Sequence, residues 1–566
     1  MGLASPSTPP QAASPPKRQG GDLRLFVVAV LCGAFFFASL SKLWPLVPGN
    51  LYVPPKQLTQ TASMFLRGRG ISVDGYQSST SFQVDEGTLD DLERRFGPQQ
   101  TRQILRSGVP VAYYDVSYKQ PGNPNLISVQ LDANGQRVTG WLATLQEDDA
   151  GARLTVEQAR TIARNTIAEA LGLVPSDWTE TGVSTRDALA RRNHVFTFEK
   201  QTPITPTNAI KERMFVTISG DRPTAARRTL VIPPASARTT RMAGAARQTL
   251  NLCGLALLSG AMLGAIAVFL LRLRDGSARL RRAAIWSGGV FACTMGAVLL
   301  QTSRSFNEWD PLWPRWVSLL QFLVEQAQDE IWTLLVLVAL VASGDVLDRE
   351  RGGQKGESLW RLTQGKLTDP LVGKAAGRGF LIGLICGGVM AFAVLCLAQF
   401  AHARVAFQPR AFFFYALNSP APGLSTLLYF LHVALLEELG YRYFSGLWLD
   451  KVTRKRWLAI VAPAVVYGLT HTTLGFLPPA EPFWARAFVM TLIGGVWGWA
   501  FFRYDALTVV ISHLTADLFI LNWPRLASGD PMIVASAVLT IVTPLLPFIT
   551  SLPRLLRRSE PGLEEP

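Results

Sequence analysis

The stretch LLEELGYRYF, Leu435–Phe444, follows the apolar run STLLYFLHVA and precedes SGLWL. It places Glu437, Glu438 and Arg442 inside what otherwise reads as a membrane helix. A charge at the bilayer centre costs roughly 2.5–3.5 kcal/mol on insertion scales. Either a partner offsets that cost, or the carboxylates are kept for chemistry.

Around this stretch the chain is built for a membrane. Its 566 residues are 48% apolar and only 17% charged. The apolar residues gather in windows of about 20, the length that spans the hydrocarbon core. Ten such windows are read, roughly 24–45, 249–271, 282–302, 317–344, 379–400, 424–449, 457–476, 485–503, 506–523 and 531–550. Glu325, Asp329 and Glu330 interrupt the fourth.

The net charge of +14 does not mark a nucleic-acid binder, because the basic residues sit in loops between spans. Arg272, Arg274, Arg279, Arg281 and Arg282 share one loop, Lys451, Arg454, Lys455 and Arg456 another, and Arg554, Arg557 and Arg558 follow the last span. With ten spans these clusters, and Lys17, Arg18 and Arg24, all fall on one side. The positive-inside bias makes that side, and both termini, cytoplasmic.

The chain divides accordingly. Residues 1–21 are a Pro/Ser/Ala-rich disordered tail, and 22–46 an uncleaved anchor. Region 50–245 is an extracytoplasmic α+β domain, 249–400 membrane helices, 420–525 the chemistry-bearing core, and 526–566 a last helix and cytoplasmic tail. The fold class is thus a polytopic α-helical membrane protein of about ten spans with an inserted α+β domain. All five cysteines lie in apolar spans, so no disulfide framework is expected in the polar domain.

Within 50–245 a weak repeat is visible. LTQTASMFLRGRGI and LTVEQARTIARNTIAEAL have helical periodicity. Alternating strands follow each, VAYYDVSYK and HVFTFEK. Hairpins turn at Asn134-Gly135 and at Gly220-Asp221. A helix on a small antiparallel sheet, present twice, resembles PepSY-type extracytoplasmic domains. His194 is the domain's one histidine and reads as a surface or strand-edge residue. With no catalytic cluster, the domain is expected to be dispensable for chemistry and free to bind a protein or peptide.

Three polar features on successive spans belong together. In EELGYR, Glu438 and Arg442 are four apart and share a helix face, so they can pair. Glu437 points about 100° away and is available for another role. In YGLTH, Tyr467 and His471 are four apart; in HLTAD, His513 and Asp517 are too. His432 lies on a different face from Glu437 and is set aside. Polar groups in a bilayer usually face a shared interior, and at 1.5 Å per residue the three features can meet in the middle or cytoplasmic half of the membrane. The bland alternative is that both glutamates merely lock helices together through arginines.

EExxxR, aromatic-xxx-His and His-xxx-Asn/Asp in this order resemble the CPBP family of intramembrane proteases. That family includes the Rce1-type CAAX prenyl endopeptidases and bacterial relatives linked to bacteriocin processing or immunity. The resemblance covers roughly 420–525 and implies an intramembrane endopeptidase acting on membrane-associated, CAAX-like or prepeptide substrates. It assigns Glu437, Glu438, Arg442, His471, His513 and Asp517 to catalysis, with Tyr467 at the substrate. Tyr467 stands where the family often has Phe, and Asp517 where its CAAX proteases typically have Asn.

Two chemistries are open. Glu437, aided by His471, can take a proton from water while His513 and Asp517 serve the oxyanion. Alternatively Glu437, His471 and His513 hold Zn²⁺. An ionised Asp517 cannot donate to an oxyanion, but suits a partner for the other ring nitrogen of a metal-bound His513. Two other functions compete: a transporter or channel with a carboxylate/histidine proton relay, and a non-catalytic bacteriocin-immunity protein. Membrane lipids and a membrane-associated peptide or protein are the expected partners; nucleic acid is not.

Overall fold

A computed structural model describes residues 20–43, 53–106, 108–201, 210–231, 234–405, 419–473, 477–478, 481–526 and 528–557. The expected tail 1–21 lies outside them, apart from its last two residues, as does the chain after 557.

The chain is a multi-pass helical membrane protein with a sheet domain inserted after its first helix. That helix is α1 (Gly20–Leu43). The domain holds α2 (Pro55–Arg67), α3 (Glu86–Arg106), α4 (Val156–Leu171) and eight strands. The strands are β1 (Gln77–Val84), β2 (Ala112–Gln120), β3 (Asn123–Asp132), β4 (Val138–Ala143), β5 (Trp178–Asp187), β6 (Arg192–Lys200), β7 (Lys211–Ser219) and β8 (Arg222–Val231). They form one antiparallel sheet in the order β1-β2-β3-β4-β8-β7-β6-β5.

The two halves read from the sequence therefore fuse rather than stand apart. Their seam is β4 against β8, where Trp141 pairs with Ala226 and Leu142 with Ala225. Alternation along β2 buries Ala112, Tyr114, Val116 and Tyr118, and α2 and α4 cover that face with Leu58, Leu66, Ala163 and Ile167. Gly220 at φ +65 lets β7 return as β8 through the turn Gly220-Asp221, with Ser219 opposite Arg222. In β6 the same alternation puts His194 on the face of Phe196 and Phe198. This corrects its reading as a surface residue. His194 is fully buried, accepts at Nδ1 from the Thr185 hydroxyl (2.9 Å) and donates from Nε2 to the Leu154 carbonyl (3.1 Å). Both ring nitrogens are thus partnered, as buried polar groups generally are.

The membrane part comprises α5 (Pro234–Arg274), α6 (Leu280–Leu300), α7 (Arg315–Arg349), α8 (Pro370–Phe400), α9 (Pro422–Thr453), α10 (Arg456–Thr470), α11 (Ala485–Arg503), α12 (Ala506–Leu521) and α13 (Pro531–Leu556). Among the described residues, eight helices are long and apolar enough to cross a membrane. Of the ten windows read from the sequence, those at α10 and α12 form shorter apolar helices. Their 15 and 16 residues reach only about 22–24 Å at 1.5 Å per residue, short of a core of about 30 Å. Apolar composition could not show this, because helix ends are set by local hydrogen bonds. After Thr470 the His471 N–H turns back to the Gly468 carbonyl and Thr472 bonds the Leu469 carbonyl, so α10 stops at the histidine.

The basic loops gather at one end of the bundle. Glu350 pairs with both Arg272 and Lys451, and Asp22 of α1 pairs with Arg378 of α8. At the other end the Lys119 ammonium of β2 donates to the Phe306, Asn307 and Trp309 carbonyls, seating the sheet domain on the loop after α6. All five cysteines are free.

Small residues bring the site-bearing helices together. A Cβ on Gly468 of α10 would lie 2.3 Å from the Ala487 carbonyl oxygen of α11. A Cβ on Gly383 of α8 would lie 2.6 Å from the Thr515 Cβ of α12. Close backbone approach of this kind drives helix association where water supplies no hydrophobic force. Gly383→Leu is therefore expected to destabilise the chain by roughly 1–3 kcal/mol. Resistance to a denaturing detergent checks it, and unchanged resistance would contradict the close contact.

Candidate active site

The polar site forms where α9, α10, α11 and α12 converge. Helix α9 widens there: Glu438–Gly446 is a π-helical stretch, and the Ser445 hydroxyl bonds the Gly440 carbonyl five residues back. Such widenings commonly mark functional positions. This one begins at the second glutamate.

Glu438 is the hub. Its Oε1 lies 3.0 Å from Arg442 Nη1 and 2.8 Å from His513 Nδ1. All three side chains are almost completely buried. Arg442 Nη2 also donates to the Gly494 carbonyl of α11 at 3.2 Å. Tyr441, Tyr467 and Trp497 surround its guanidinium, with ring centroids 5.5, 4.9 and 5.4 Å away. Hydrogen bonds and ring faces thus replace the water that a buried cation loses. The spacing predicts the Glu438–Arg442 pair; the second bond, to His513, was not visible in it.

Glu437 faces the other way, into a cavity of about 210 Å³. His471 Nε2 lies 3.7 Å from its Oε1, and His513 Nε2 lies 3.8 Å from its Oε2. Oε2 is buried and has no hydrogen-bond partner among the described residues. Asp517 Oδ2 is 3.5 Å from the same His513 Nε2. The rest of the wall is mostly apolar, including Met390, Phe430, Leu477 and Ile493.

The hydrogen bonds define the histidine tautomers. A carbonyl oxygen can only accept, so His471 Nδ1 donates to the Tyr467 carbonyl at 2.7 Å. His513 Nδ1 donates to the Glu438 carboxylate. In the neutral rings both Nε2 atoms therefore turn a lone pair toward Glu437. This corrects the expectation for Asp517: Glu438 takes the outer nitrogen of His513, and Asp517 faces the cavity nitrogen beside Glu437. A side chain four residues on lies beside the ring, but which nitrogen it meets depends on a helix 75 residues away in sequence.

Tyr467, expected at the substrate, lines the cavity and stacks on His471 with centroids 4.0 Å apart. Trp497 was not singled out from the sequence. It stacks on His513 (4.0 Å, 20°) and its Nε1 donates to the Ser512 hydroxyl. Its surroundings, GGVWGWA, carry no polar spacing that would mark it. His432 bonds its own helix at the Tyr429 carbonyl and does not line the cavity.

The donor chemistry, two imidazole nitrogens and two carboxylates, is of a kind that binds Zn²⁺. Glu437, His471 and His513 would hold such an ion, which would supply a metal-bound water of lowered pKa.

Glu438→Ala or Arg442→Ala would leave a buried charge unpaired, at a cost of about 3–5 kcal/mol. Each is expected to reduce monodisperse folded protein in detergent several-fold, measured by size exclusion. Normal yield with lost activity would instead show that the pair works in the chemistry and not in holding the helices.

Comparison with known proteins agrees with this geometry. No curated protein and no solved structure matches the chain. The family model described as type II CAAX prenyl endopeptidase Rce1-like matches residues 419–519. That stretch contains Glu437, Glu438, Arg442, Tyr467, His471, His513 and Asp517. The segment that carries the site is thus similar to the Rce1-like type II CAAX prenyl endopeptidases.

Proposed function

We propose that the chain is an intramembrane endopeptidase that hydrolyses a peptide bond of a membrane-associated substrate, CAAX-like or a prepeptide. One observation carries this reading: each oxygen of Glu437 faces a histidine Nε2, at 3.7 and 3.8 Å, in an otherwise apolar cavity. The family match of the surrounding segment supports it. In this reading the sheet domain is extracytoplasmic and both termini are cytoplasmic, which the gathering of basic loops at one end of the bundle supports.

Peptide hydrolysis needs an activated water and a place for the negative charge of the tetrahedral intermediate. Glu437 is the base. A water between it and His471 gives its proton to the carboxylate while its oxygen attacks the scissile carbonyl. His471 accepts a hydrogen bond at Nε2 from the second O–H of that water, which stays on the oxygen, and so orients the nucleophile. His513 in its protonated form carries an Nε2–H that donates to the oxyanion; Glu438 holds its other proton and fixes the ring. Asp517, a carboxylate, cannot donate and instead orients and pairs with that imidazolium. Collapse of the intermediate breaks the C–N bond, and Glu437 returns its proton to the leaving amine.

Glu437→Gln is expected to lower turnover of a membrane-proximal peptide by roughly 10²–10⁴-fold, the range for loss of a general base, with folded yield near wild type. Full activity in that variant would sink the mechanism. A chelator is expected to leave the wild-type rate unchanged. Loss of turnover on chelation, restored by added Zn²⁺, would assign the chemistry to a metal held by Glu437, His471 and His513.

A further inference from the structure

A buried ion cluster lies away from the site and joins the two parts of the molecule. Arg404, just beyond α8, bonds Glu481 through Nε and Glu93 of α3 through Nη1, each at 3.0 Å, and Asp90 of α3 through Nη2. Arg94 of α3 bonds Asp90 at 3.0 Å and also reaches Glu481. Backbone bonds run both ways between Arg404 and Glu481, at 3.0 and 3.2 Å. Arg247 of α5 is within electrostatic reach of Asp90 and Glu481. Three carboxylates thus meet three guanidinium groups, and the Asp90 and Glu93 side chains are 1% and 2% exposed.

Glu481 belongs to the connection between His471 and α11, and that connection reaches the site. Arg486, itself buried, donates to the Leu477 carbonyl (2.8 Å) and the Thr472 carbonyl (2.7 Å). Thr472 follows His471 directly and its hydroxyl bonds the Arg247 carbonyl. Leu477 forms part of the cavity wall. Bonds from α3 of the sheet domain thus reach Glu481 through Arg404, and five residues further along the chain Arg486 holds the cavity-wall residue Leu477 and the residue after His471.

We propose that the sheet domain is a working part of the catalytic unit, and that Arg404, Glu481, Asp90 and Glu93 are positioning residues that set the cavity wall at Leu477 and the backbone after His471. This rests on the endopeptidase reading for its consequence and reverses the expectation that the domain is dispensable. The carboxylates on α3 fix Arg404 in a geometry that holds Glu481; without them the start of α11, and with it Arg486, loses its position against Leu477 and Thr472.

The test uses the full-length chain with isosteric Glu93→Gln, with Arg404→Gln, and with Arg404→Lys as the conservative control. Two quantities are read per folded chain. One is kcat/KM for a membrane-proximal peptide. The other is the alkylation rate of native Cys386, which lines the cavity, resolved by peptide mass. The expected result is a fall in kcat/KM of at least fivefold and a rise in Cys386 alkylation of at least threefold for both Gln variants, with Arg404→Lys closer to wild type. If Arg404→Gln does not fold, Glu93→Gln alone decides. Should the wild type cleave nothing, the endopeptidase reading fails while Cys386 alkylation still decides the coupling. Both quantities within twofold of wild type in Glu93→Gln would overturn the proposal.

Discussion

The Glu438 carboxylate is the constraint on which the core depends. One of its oxygens holds both Arg442, on its own helix, and His513, on α12. Through Arg442 the same group reaches the Gly494 carbonyl of α11. Three elements are thus tied by one buried anion, and none of them can shift without stranding a charge in a medium where that is expensive. This explains why two adjacent carboxylates occur in a membrane helix. Glu438 has its charge matched and its position fixed, so its neighbour Glu437 can remain less satisfied. The strain of holding an under-partnered carboxylate is supported by the neighbouring framework, which is how functional sites generally persist.

The aromatic residues complete that framework. Tyr467 stacks on His471, Trp497 stacks on His513, and both rings lie against Arg442. Each imidazole is therefore held at one nitrogen by a hydrogen bond and at one face by a ring. Only its second nitrogen is turned toward the cavity. Two histidines on short helices gain from this, because α10 and α12 have few turns of their own to hold them. Glycines at the crossings, such as Gly468 and Gly383, let the helices approach closely enough for the rings to meet.

Much of this was legible in the sequence because it rests on local spacing. Glu438 with Arg442, Tyr467 with His471 and His513 with Asp517 are all four apart, and helix geometry places each pair on one face. The repeat of helix and hairpins was legible for the same reason. What was not legible depends on distant parts of the chain. The bond from Glu438 to His513 joins helices far apart in sequence. Asp90 and Glu93 of α3 are buried where Arg404 arrives from beyond α8, which no local spacing marks. His194 shares the alternation of Phe196 and Phe198 in its own strand, and the partners that satisfy its ring, Thr185 and the Leu154 carbonyl, come from elsewhere in the chain. The shortness of α10 and α12 was hidden by apolar composition that runs on past the helix ends.

The central claim is that Glu437 activates a water and is not itself the nucleophile. The most direct measurement is a single turnover, enzyme in excess over a membrane-proximal peptide, in ¹⁸O-enriched water. Direct water attack places one solvent ¹⁸O in the new C-terminal carboxyl of the product in that first turnover. A first-turnover product carrying only ¹⁶O in that carboxyl, with the solvent label appearing in later turnovers, would show that a carboxylate oxygen of the protein had attacked first and would contradict the account.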